Sequence, residues 1–75
     1  MGNHMNHIDK IKIDLINKII KARNKNDTQQ ILAKKLKVTQ PRLSNLFQFK
    51  IEKFSIDCLV EFLVLLDLEV KIEVQ

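Results

Sequence analysis

From residue 8 to residue 23 the apolar positions are Ile8, Ile11, Leu15, Ile19 and Ala22, three or four apart, with Ile16 and Ile20 widening the stripe. That period predicts an amphipathic helix with one broad buried face. Ile11-Lys12-Ile13-Asp14-Leu15 alternates like a strand, but the alternation breaks at Ile16. Asn24-Lys25-Asn26-Asp27 predicts the helix end, because Asn tolerates the left-handed backbone that helix ends use. Asp27 or Thr28 then opens a short second helix over Gln29–Leu36, with Leu32, Ala33 and Leu36 facing inward. Asp27 and Gln30 have the spacing of a capping box.

Lys37-Val38-Thr39 reads as a turn, and Thr39 as the cap of a third helix with Pro41 in its first turn. A proline there gives up an N–H that has no helical partner anyway. This helix runs to Phe47 and buries Leu43 and Leu46, with Phe47 beside them. After a connector over 48–54, Ser55 caps a fourth helix, and Asp57 lies in the first turn where the helix dipole favours negative charge. Ile56, Leu59, Phe62, Leu63 and Leu66 form its apolar face. Then the period changes. Leu68-Glu69-Val70-Lys71-Ile72-Glu73-Val74 alternates strictly, which predicts a β-strand. The chain offers no second strong strand. An unpaired strand edge is a liability, so the expectation is pairing with its copy across a two-fold axis. Phe62, Leu65 or Leu66 would pack beneath it, and Phe62, Leu66, Val70, Ile72 and Val74 are the expected dimer contacts. The alternative is pairing within the chain, against residues 11–15.

At 75 residues and 8.8 kDa the chain makes one small domain. Met1 to Met5 read as an expression tag or tail, leaving 6–75 as the domain. A chain this short buries only about 60% of its unfolded surface, so a partner subunit would add stability. With 45% hydrophobic and 29% charged residues it belongs with globular proteins rather than disordered tails. No apolar run is long enough to span a bilayer. The single cysteine, Cys58, excludes an internal disulfide and fits a reducing cytoplasm. There is no glycine-rich phosphate loop and no paired carboxylate set, and His4 and His7 lack a third ligand nearby. No enzyme activity, metal or cofactor is therefore expected.

Charge is divided along the chain. Residues 8–53 carry 12 Lys and Arg against Asp9, Asp14, Asp27 and Glu52, a balance of +8. Residues 54–75 carry Lys71 against Asp57, Glu61, Asp67, Glu69 and Glu73, a balance of −4. A basic body with an acidic end raises a polyanion as partner for the body and a separate role for the end.

Residues 29–48 focus that idea. Two short helices stand at the spacing of a helix-turn-helix, with Ala33 small where they would cross most closely. The outer face of the third helix offers Gln40, Pro41, Arg42, Ser44 and Asn45, polar and free of acid, as suits a helix entering a major groove. The runs Thr28-Gln29-Gln30-Ile31-Leu32-Ala33 and Val38-Thr39-Gln40-Pro41-Arg42-Leu43-Ser44-Asn45-Leu46 resemble the helix-turn-helix of Xre/Cro-type regulators. Lys50-Ile51-Glu52-Lys53-Phe54-Ser55-Ile56-Asp57 and the final Val70-Lys71-Ile72-Glu73-Val74 narrow the resemblance to the short branch that includes HigA-type antitoxins.

The resemblance implies a mainly α, compact four- to five-helix domain with a C-terminal strand, binding a palindromic operator as a homodimer. It implies a cytoplasmic, nucleoid-associated repressor of bacterial, phage or plasmid origin, with a cognate toxin as a further partner. Carried over, Gln29 would reach a phosphate, Gln40 would read adenine, and Pro41 would touch a thymine methyl. Ser44 and Asn45 face the same groove, Thr39 caps the helix and adds a phosphate contact, and Arg42 reaches guanine or phosphate. Lys34, Lys35, Lys37, Lys50 and Lys53 are backbone candidates, Lys50 foremost. Two positions depart from the family. Lys37 and Phe49 stand where glycine is usual, and Phe49 is either an exposed aromatic or an anchor for the connector.

Overall fold

A computed structural model describes the backbone of residues 5–74 and the side-chain surroundings of residues 5–67. Four α-helices follow in order: α1 (His7–Ala22), α2 (Gln29–Leu36), α3 (Gln40–Phe47) and α4 (Ile56–Val74), with a 3₁₀ turn at Ile51–Lys53. α2, α3 and α4 each begin on a hydroxyl cap. Thr28 Oγ1 accepts from the Ile31 N–H at 3.2 Å, Thr39 Oγ1 from Arg42 at 3.3 Å, and Ser55 Oγ from Cys58 at 3.1 Å. Asn6 does the same for α1, accepting from the Asp9 N–H at 2.8 Å. Such caps satisfy N–H groups that the helix itself leaves unpaired. Thr28 is thus the cap of α2, and Asp27 instead pairs with Lys35 at 2.7 Å.

α1 lies along α4, and α2 and α3 close over them. The core joins Ile16 and Ile19 of α1, Leu32, Ala33 and Leu36 of α2, Leu43 and Leu46 of α3, Phe54, and Leu59, Phe62 and Leu66 of α4. Phe54 meets Phe62 edge to face, with centroids 6.2 Å apart and an interplanar angle of 71°. The inward residues expected for α2 and α3 are the observed ones, while on α4 Leu59, Phe62 and Leu66 are buried and Ile56 and Leu63 are only partly covered.

α1 differs from expectation. Ile8 and Ile11 are 47% and 42% exposed, Ala22 is exposed, and only Ile16 and Ile19 are fully buried. The N-terminal half of α1 is tied instead by Lys12, whose Nζ donates to the Ile51 carbonyl at 3.3 Å. Nor does a left-handed Asn end α1: Arg23 turns extended (φ −68°, ψ 150°) and Asn24 Oδ1 accepts from the Asn26 N–H at 2.9 Å.

The larger correction concerns the C-terminus. α4 continues to Val74, so the segment predicted as a strand has helical backbone, and the described residues contain no strand. No Gly, Pro or capping turn interrupts the chain after Leu66. Extending an existing helix adds one hydrogen bond per residue, whereas a lone strand would leave its N–H and C=O groups unpaired. Phe62 and Leu66, expected at a dimer contact, are 4% and 3% exposed and belong to the chain's own core. The side chains of Val70, Ile72 and Val74 lie outside the described residues.

Candidate nucleic-acid interface

α2 and α3 are joined by a turn whose geometry is set by one left-handed residue. Lys37 has φ 61° and ψ 41°, its N–H donates to the Lys34 carbonyl at 3.1 Å, and the next N–H, of Val38, reaches back to Ala33 at 2.9 Å. This pair of bonds is the Schellman closure of a helix end, and Val38 beyond it packs partly buried against the core. The end of α3 repeats it. Phe49 has φ 58°, its N–H donates to Leu46 at 3.0 Å, and the Lys50 N–H reaches Asn45 at 3.1 Å. Among the described residues these two are the non-glycine positions with positive φ, and both stand where the resemblance places glycine.

Between those two ends α3 exposes Gln40 and Pro41 to solvent, with Ser44 and Asn45 half-buried beside them. α3 carries no acidic residue. Thr39 is exposed, and its hydroxyl is engaged as the cap. Ser44 Oγ accepts from Gln48 Nε2 at 2.8 Å, an i,i+4 pair that fixes the serine rotamer and leaves its own hydrogen to donate. Gln48 was not among the expected site residues, although its spacing from Ser44 signals the pair. Phe49 is 37% exposed, so its ring is partly open to solvent and partly covered.

Arg42 does not share the outer face. Its guanidinium carbon stands 4.5 Å from the Phe54 centroid, Nη1 donates to the Lys53 carbonyl at 3.4 Å, and Nη2 lies 3.5 Å from Cys58 Sγ. Of the backbone candidates, Lys34, Lys37, Lys50 and Lys53 are exposed, while Lys35 is half-buried in its pair with Asp27.

A second feature lies at the start of α2. Arg23, Asp27, Thr28, Gln29, Leu32 and Phe47 line a cavity of about 260 Å³. Gln29 is exposed at its rim. The Arg23 guanidinium carbon lies 5.7 Å from the Phe47 centroid, and its buried Nε has no hydrogen-bond partner. Sequence reading missed Arg23, because nothing local distinguishes it from the other basic residues of α1. Only folding brings it to the first turn of α2. Among the described residues, no cluster of His, Cys, Asp or Glu could hold a metal, and no helix is long and apolar enough to cross a membrane.

Two short helices joined by a left-handed turn, the second with an exposed, acid-free face, are the arrangement of a DNA-binding helix-turn-helix domain. The sequence pattern of the family described as helix-turn-helix domain matches residues 3–75, and the chain belongs to that family. No curated protein and no solved structure matches the chain.

Proposed function

We propose that the chain is a sequence-specific transcriptional regulator of the Xre/Cro type, a repressor that binds a palindromic operator as a homodimer with α3 in the major groove. The observation that carries this reading is the exposure of Gln40 and Pro41 on an acid-free α3, with Ser44 and Asn45 beside them. A glutamine amide can bond adenine N6 and N7 together, and proline offers apolar contact to a thymine methyl. Gln29, Thr39 and Lys50 are the phosphate contacts of this reading. Arg23 supports the first of them, since its cationic side chain and Gln29 line the same cavity. Phosphate contacts of this kind set register and orientation, while the α3 face supplies sequence information.

The homodimer moves from the expected strand to the outer side of α4, where Val60 and Val64 are 43% and 51% exposed one helical turn apart. The similarity to HigA-type sequences supports an antitoxin role in a toxin–antitoxin operon of a bacterial, phage or plasmid genome, and hence work in the cytoplasm on nucleoid DNA. Selection of duplexes from a random-sequence pool, followed by gel shift, tests the reading. Recovery of one inverted-repeat site supports it, and indifference to sequence overturns it. Co-purification with the product of the neighbouring gene tests the antitoxin role. A captured partner without any selected DNA site would favour a protein-interaction module.

A further inference from the structure

We propose that Arg42 is a positioning residue of the reading helix: it fixes the angle of α3 against α4 and makes no contact with DNA. This rests on the reading of α3 as the DNA-facing helix. Arg42 lies in the first turn of α3, its own N–H on the Thr39 cap. From there the side chain turns sideways. The guanidinium stacks on Phe54 at 4.5 Å, and its two ends engage the Lys53 carbonyl, at the end of the 3₁₀ turn, and Cys58, in the first turn of α4.

The contact falls where the fold needs one. The backbone of α3 packs closely on α2 and α1, and the Arg42 side chain reaches across to Cys58 in the first turn of α4. Phe54 is 2% exposed and packs edge-on against Phe62, itself in the core. Arg42, Phe54 and Phe62 thus form a continuous strut from the first turn of α3 to the middle of α4. A planar guanidinium suits this place because it stacks with its face while donating from its edge, which an ammonium cannot do. Reaching a phosphate or a guanine would mean giving up the stack and both donations at once.

A strut affects recognition differently from a reader or a phosphate contact. The bidentate bond of a glutamine or asparagine to a base depends on helix orientation, so tilting α3 weakens discrimination at every position it reads. The charge balance with phosphate is untouched, and so is the salt dependence.

The test uses the full chain and a duplex that it selects from a random pool, compared with a scrambled duplex over a range of salt. Arg42→Lys keeps the charge but loses the planar stack. Its ratio of selected to scrambled affinity should fall about tenfold, spread over all read base pairs, with an unchanged salt slope. Phe54→Leu, which removes the ring from the other side, should give the same signature, and the double variant should be no worse than either alone. Both are measured well below their melting midpoints, and Arg42→Met serves in place of Arg42→Lys if the latter does not fold. Full discrimination in Arg42→Lys overturns the strut. So does a loss confined to one base pair, which marks a direct reader, or a salt slope reduced by about one in Arg42→Ala, which marks a phosphate contact. If the unaltered chain selects no site, the DNA reading fails first. If it selects one and the variants match it, only the strut fails.

Discussion

Lys37 and Phe49 hold the same left-handed backbone, φ 61° and 58°, one on each side of α3. Each closes a helix by the same two backward hydrogen bonds, so the entry to α3 and the exit from it use one device. A side chain in this conformation brings Cβ close to the following carbonyl, at a cost of about 1–2 kcal/mol. Replacement by glycine removes that cost but adds about 0.5–1 kcal/mol of unfolded-state entropy.

Lys37→Gly is therefore expected to raise stability by about 0.5–1 kcal/mol, a few degrees in melting temperature for a domain this size, whereas Phe49→Gly also gives up the covered part of a ring that is 37% exposed and should gain less. Thermal melts followed by circular dichroism check this. A clear loss of stability in Lys37→Gly would falsify the strain account of that turn.

Ala33 is 4% exposed beneath the turn, where Val38 folds back onto it. Ala33→Leu should overpack the α2–α3 crossing and destabilise the domain by about 1–3 kcal/mol. Urea denaturation measures it. A neutral result would mean that the crossing has room to spare.

Gln40→Ala tests the reading face without touching the core, since Gln40 is exposed. The expected loss is about 1–3 kcal/mol on the selected site and far less on scrambled DNA. Equal losses on both duplexes would show that α3 is not the reader. Lys50→Ala should instead weaken both duplexes alike and flatten the salt dependence.

Val60 and Val64 separate association from folding. A double Val60→Lys, Val64→Lys variant should keep its melting behaviour as a monomer, because both side chains are about half exposed in the single chain. Its sedimentation should shift to the monomer, with operator affinity falling towards that of a single half-site. Phe62→Ala should do the reverse of a surface change and cost about 3–5 kcal/mol of fold stability, since Phe62 is buried within the chain. Unaltered sedimentation of the double variant at all concentrations would remove α4 from the dimer.

Local chemistry was readable from residues alone. Thr28, Thr39 and Ser55 cap the helices they precede and Ala33 is buried, while the left-handed Lys37 and Phe49 stand where the resemblance, rather than the residues themselves, pointed to glycine. Each depends on a group within a few residues, so the sequence around it contains the cause. The exposed face of α3 was legible for the same reason, because helical period alone separates Gln40 and Pro41 from Leu43 and Leu46. What tertiary structure decided involves partners distant in the chain. Arg42 leaves the outer face of α3 because Phe54, Lys53 and Cys58 fold into its reach, and Arg23 meets Phe47 only when the end of α1 and α3 come together. Ile8 and Ile11 stay exposed because the core forms around Ile16 and Ile19, where α2, α3 and α4 converge. The tail alternates as a strand should, yet it continues α4, because a helix satisfies its own backbone and a strand must borrow a neighbour.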